Sequence, residues 1–141
     1  MTFGGGYLLD TNVLSETRKT RMDEGVVAFL SGSEEASLFV SVLTLGELRR
    51  GVEVKRRSDP AAAESLKKWV DGIETTFAER ILPIDLAAAR IWGEQSAGRT
   101  LPVVDTLIAA TAISNGLTLV TRNTRDVEGT SVPLINPWKA R

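Results

Sequence analysis

A single-domain α/β/α sandwich built on a parallel central sheet is the fold this sequence predicts. Three observations carry it. Short apolar, β-branched runs alternate with longer stretches of helical period, the pattern of parallel strands covered on both faces by helices. The chain has 141 residues, enough for one real core without disulfide or metal staples. No internal repeat, low-complexity tract or linker divides it.

Taken in order, residues 1–6, "MTFGGG", read as a short glycine-rich tail, leaving residues 7–141 as the domain. "YLLD" is a strand, and Asn12 to about Lys19 a short helix. Residues 26–30 suggest another helix, ended by "SGS". "SLFVSVL", 37–43, is rich in apolar and β-branched residues and reads as a buried strand. Thr44 then opens the helical "TLGELRRGVEV". In "SDPAAAESLKKWVDGIETTF", Pro60 suits a first helical turn, and Leu66, Trp69, Val70, Ile73 and Phe77 recur at helical spacing. "ILPI", 81–84, is a short strand, and Asp85 caps the helix that follows. "LPVVDTLIAATAISNG" is an apolar helix with Pro near its start and Gly116 at its end. "LTLVT", 117–121, is a further strand and "VPLINP" an edge strand.

Composition narrows the chemistry. Hydrophobic residues make up 43% and charged residues 25%, as in ordinary globular proteins. With 17 basic and 18 acidic residues the net charge is −1, so polyanion binding would need a local basic patch. No apolar run approaches the roughly 20 residues of a membrane span, and no signal-peptide pattern opens the chain, so the cytoplasm is the expected location. There is no Cys and no His. Thiolate nucleophiles, the Ser-His-Asp arrangement and imidazole ligands are therefore excluded. An enzyme built from this inventory must run on carboxylates, hydroxyls, Lys or Arg, with a hard cation that prefers oxygen.

In open α/β sheets, ligands bind beyond the carboxyl ends of the strands. The first strand ends at Asp10. The second is followed by Thr44 and Glu47, and the late strand by Thr121, Arg122, Asn123 and Asp126. Asp105 lies in the first turn of the most apolar helix. Each has a structural alternative: Asp10 as an N-cap, Glu47 as the partner of Thr44 in a T-x-x-E capping box, Asp126 as a turn residue. Asp105 is harder to explain that way, because its apolar neighbours offer no counter-charge; Ala109 and Ala112 on its face leave room beside it. Converging carboxylates repel one another, and Mg²⁺ or Mn²⁺ relieves that repulsion. Metal-assisted phosphodiester hydrolysis suits the set best. The basic residues interleaved with the acids (Arg18, Lys19, Arg21, Arg49, Arg50, Arg122 and Arg125) suit a polyanionic substrate. Lys55–Arg57 reads as a solvated helix face. Trp69, Trp92 and Phe77 sit at core-like spacings, which argues against base stacking.

These motifs, "LLDTNVLSE", "TLGELRRGV", "VVDTLIAATA" and "LVTRNTRD", resemble in their order the series of PIN-domain nucleases. The likeness is strongest to VapC-type toxins, including a FitB-like branch in which an "NPW" ending also occurs. The resemblance implies that Asp10, Glu47 and Asp105 are acidic metal-site residues, with Thr11, Asn12, Thr121 and Arg122 shaping the site. Family members often carry Asp at the position of Asn123; here Asn123 or Asp126 fills that fourth position, Asp126 acting through water, which leaves one metal or two open. The resemblance further implies an Mg²⁺- or Mn²⁺-dependent endoribonuclease leaving 5′-phosphate and 3′-hydroxyl ends. It implies a homodimer inhibited by a cognate antitoxin, with DNA reached only through that antitoxin. Two other readings compete. A phosphatase using Asp10 as nucleophile would want a second acid where Asn12 stands, and a non-catalytic nucleic-acid-binding regulator would bind RNA or DNA without cutting.

Overall fold

The computed structural model describes residues 5–138. Its first strand, β1 (Tyr7–Leu9), is followed by α1 (Thr11–Glu16) and α2 (Glu24–Ser31). Next come β2 (Leu38–Ser41), α3 (Val42–Arg56), α4 (Pro60–Thr76), β3 (Ile81–Leu82) and α5 (Leu86–Ser96). The chain closes with α6 (Val103–Ser114), β4 (Thr118–Val120) and β5 (Leu134–Ile135). Among the described residues these five strands form one sheet in the order β3-β2-β1-β4-β5, every neighbouring pair parallel. No helix among them is long and apolar enough to cross a membrane.

Side chains on a strand alternate between faces, and here the alternation separates two cores. Leu9, Leu38, Val40 and Val120 face one core, filled by Val13, Leu14, Leu45, Leu48, Val52 and Val70 from the helices that follow β1 and β2. Leu8, Phe39 and Leu119 face the other, against Ile108, Ala109 and Ala112 of α6. The two alanines are wholly buried there, so they do not leave room beside Asp105 as expected. Their small size instead lets α6 lie close to the sheet. α6 ends at Asn115, and Gly116, at φ 68°, turns the chain into β4.

Most elements begin or end a residue or more from their expected bounds, and two of these differences change what a residue does. Of the expected tail, residues 1–4 lie outside the described residues. Gly6, however, is buried, and its carbonyl accepts from Thr118 N at 3.1 Å. A Cβ at that position would stand 2.8 Å from Leu117 Cδ2, so glycine is what lets the chain enter the sheet beside β4. The strand expected over 37–43 stops at Ser41, whose Oγ accepts from Leu43 N at 3.0 Å and caps α3. The Thr44–Glu47 capping box therefore does not form. Thr44 lies inside the helix, fully buried, and its hydroxyl has no hydrogen-bond partner.

Candidate active site

The chain runs outward through β1, β2 and β3, then crosses back to lay β4 on the other side of β1. That reversal creates a crevice at the carboxyl ends of β1 and β4, the position where open α/β sheets bind ligands. Asp10 follows β1 directly. Its backbone N–H continues the sheet to Val120 O at 3.0 Å, while its side chain leaves the sheet and accepts from Thr11 N at 2.8 Å. Asp10 thus caps α1 and presents its carboxylate at the crevice, so both uses of the position coexist.

The other oxygen of Asp10 is held from β4. Thr121 Oγ1 donates to Asp10 Oδ2 at 2.7 Å and accepts from Asn123 N at 3.0 Å and Asn12 Nδ2 at 3.2 Å. One donor and two acceptors is the full capacity of a hydroxyl. Asn12 completes the lattice by accepting from Arg122 N at 3.3 Å, with its own amide 3.5 Å from Asp10 Oδ2. Only 6% of Asp10 is exposed. Burial pushes its carboxyl above the usual range, and the bonds from Thr121 and Thr11 oppose that rise.

Opposite stand the acids from other elements. Glu47, on α3, is fixed by the Thr11 hydroxyl, which donates to Glu47 Oε1 and ties α3 to α1. Asp105 sits in the first turn of α6, whose N-cap, Pro102, supplies no side-chain bond. The open N–H groups of that turn favour negative charge modestly. Asp105 is nonetheless raised to about 6, by partial burial first and then by the charges of Asp10, Asp126 and Glu47.

Asp10, Thr11, Asn12, Glu47, Asp105 and Asn123 line one cleft of about 330 Å³. Asp126 does not line it. It lies on a short 3₁₀ turn, Thr124–Val127, near enough for its charge to raise both Asp10 and Asp105. Thr121 lies beneath the cleft, and Arg122 stacks over Trp138 at 5.3 Å. Ser15, which the sequence reading missed, lines the cleft with Thr11. The signal was there, since residues four apart share a helix face.

The donors are all oxygen, which suits a hard cation. Among the described residues no three acids stand together as a ready-made ligand cage. Mg²⁺ tolerates such openness, because it keeps several waters and takes only one or two protein carboxylates. Carboxylates gathered around one cleft, with no lysine or arginine among its described lining residues, are the arrangement a divalent cation stabilises. The residues present fit the metal.

Several basic residues turn out to hold the fold. Arg49 pairs with Asp71 and Glu74 of α4, each at 2.8 Å. Lys19 pairs with the buried Glu16 at 2.8 Å, and Arg56 bridges Glu53 and Glu64. Arg49 and Lys19, which their place beside the acids suggested as phosphate contacts, are thus engaged in ion pairs within the chain.

A parallel sheet in this order, with carboxylates from β1, α3 and α6 around one cleft, is the architecture of a PIN domain. The PIN-domain family model matches residues 7–128, and the chain belongs to that family. Within it the chain falls among the VapC and FitB toxins. It is 35% identical to toxin FitB of Neisseria gonorrhoeae, covering 93% of this chain and 97% of that one. A VapC ribonuclease of Sinorhizobium fredii is 32% identical, covering 94% and 97%. The crystal structure of FitAcB from Neisseria gonorrhoeae superposes with a TM-score of 0.85 at 34% identity, covering 95% of this chain and 99% of that one. That of FitAB bound to a DNA fragment gives 0.84 at 32% identity, covering 96% and 97%.

Proposed function

We propose that this chain is the toxin of a toxin–antitoxin pair, an endoribonuclease that hydrolyses RNA phosphodiester bonds with Mg²⁺ or Mn²⁺. One observation carries the proposal: three segments distant in sequence bring Asp10, Glu47 and Asp105 to the walls of one cleft at the sheet's reversal point. The kinship with VapC ribonucleases and FitB supports it.

Asp10 and Asp105 would hold the cation, with Glu47 and Asn123 at the rim and Asp126 reaching it through water. When bound, the cation supplies Lewis acidity at the scissile phosphate and offsets the charge building on its oxygens. The chain's own part is orientation. Thr121 and Asn12 fix Asp10 so that its carboxylate needs no reorganisation as charge develops. The Thr11 hydroxyl holds Glu47 on the opposite wall. Arg122, its backbone bonded to Asn12 and its guanidinium stacked on Trp138, would receive a flanking phosphate. In-line attack by water leaves a 5′-phosphate and a 3′-hydroxyl.

On this reading the toxin works in the cytoplasm as a homodimer. A cognate antitoxin silences it by covering the cleft and provides its link to DNA; a FitAB structure bound to a DNA fragment is among the solved structures the chain resembles. The test is cleavage of a mixed RNA pool by antitoxin-free protein, with and without Mn²⁺ or Mg²⁺, beside Asp105→Asn. Metal-dependent cuts with 5′-phosphate ends, lost in the variant, are expected. Cuts that persist in chelator would overturn the mechanism, and no cutting by folded, metal-loaded protein would leave a regulator that only binds nucleic acid.

A further inference from the structure

Beside the acidic cleft lies a second hollow of about 350 Å³, walled by α1, α3 and α4. Thr11, Ser15 and Glu47 line both, so the two adjoin, with the Thr11–Glu47 hydrogen bond at their boundary. The far side of the hollow is different in character: Leu48, Gly51, Leu66, Trp69 and Arg18. Trp69 was expected to be core from its spacing. It packs only against the edge of that core, remains partly exposed, and forms the hollow's wall. Arg18 lies over its ring at 5.5 Å. Unlike Lys19 and Arg49, Arg18 makes no ion pair with an acid among the described residues.

Resting on the ribonuclease reading above, the geometry points to a nucleobase subsite here: a base of the RNA next to the scissile phosphate enters the hollow and stacks on the guanidinium plane of Arg18, which Trp69 backs from the other side. An aromatic ring and a guanidinium plane are the two surfaces on which proteins stack unpaired bases. The hollow is lined by Leu48 and Leu66, carries the Arg18 cation, and adjoins the acidic cleft across Thr11, Ser15 and Glu47. Gly51 lines the same hollow. Glycine weakens a helix interior, yet a Cβ at Gly51 would meet nothing within 4 Å, so packing does not require it. Its lack of a side chain keeps the hollow open.

Gly51→Leu tests this without threatening the fold, because it fills open space and favours the helix. The probes are short oligoadenylate and oligouridylate strands and an abasic strand of the same length, bound in chelator and followed by fluorescence anisotropy. Wild-type protein is expected to bind base-bearing strands about 5- to 100-fold more tightly than the abasic strand. Gly51→Leu should lose that preference while keeping its affinity for the abasic strand, and Arg18→Ala should lose part of it. A preference absent from wild type, or unchanged in Gly51→Leu, would overturn the subsite and leave the hollow to a protein partner. Cleavage of the same base-bearing strands in Mn²⁺ separates the two claims. Cutting without base preference sinks the subsite alone, and base preference without cutting sinks the nuclease alone.

Discussion

Thr121 illustrates how one hydroxyl can organise a carboxylate site. It holds Asp10 at 2.7 Å and is itself fixed by Asn12 and by the backbone of Asn123. Thr121→Val keeps the shape and removes all three bonds. We expect metal affinity or activity to fall about 10- to 100-fold, measured as Mn²⁺ titration beside RNA cleavage; unchanged affinity would mean that Asp10 needs no support. Asp105 makes a prediction in pH. Its carboxyl is raised from 3.8 to about 6, so between those values the folded metal-free protein binds more protons than the unfolded chain, and stability falls as pH rises. Asp105→Asn lacks this dependence. Denaturant titrations in chelator should therefore show the variant gaining on wild type from about pH 4 to about pH 6 and holding a constant lead above. A lead that shrinks over that range would contradict the assigned direction. Asp105 stood out in the sequence because its apolar neighbours offer no counter-charge, and Asp10 because it ends an apolar strand, although capping explained that position equally well. Thr121 was marked as a site-shaping residue only through the resemblance to PIN-domain nucleases, since a threonine after a strand does not by itself say which carboxylate oxygen it holds across the sheet.

At the level of elements, the helices were largely legible and their starts less so. Pro60 and Asp85 marked α4 and α5, and Asp59 and Asp85 do accept from Ala62 N and Ala88 N. The start of α3 was misread because Val42 and Leu43 extend an apolar run that suits a strand, and periodicity cannot separate the two over so few residues. Ser41 decides it by capping. The shift matters for Glu47, which is released from capping to face the cleft. Trp69 failed for a related reason: a residue at the edge of an apolar stripe has the same spacing whether it meets the core or a groove. The Arg49 bridge between α3 and α4 carries a prediction of its own. Both its partners are partly exposed, so Arg49→Met should cost about 1 kcal/mol or less. RNA cleavage and its salt dependence should be unchanged, in contrast with a phosphate contact, whose loss reduces the salt slope. A flattened salt dependence in this variant would return Arg49 to the substrate.

Across the whole molecule, β1 is the shared wall of two cores, with Leu8 in one and Leu9 in the other. That anchoring lets the next residue carry a buried charge without disturbing the sheet. The fold nevertheless tolerates its acids at some loss of stability, since burial and mutual repulsion both disfavour the ionised forms of Asp10 and Asp105. A site arranged for function at the expense of stability should be stabilised by its ligand and by removal of its charge, but not by both at once. Mn²⁺ at about 100 times its dissociation constant should add about 2.7 kcal/mol, a rise in Tm of roughly 5–10 °C for a chain of this size. Asp105→Asn should melt higher than wild type in chelator near neutral pH and respond little to Mn²⁺. Calorimetry of the two proteins with and without metal decides the matter. Equal response in both would place any bound cation away from Asp105, and no response in wild type would show that the acids converge for some purpose other than metal.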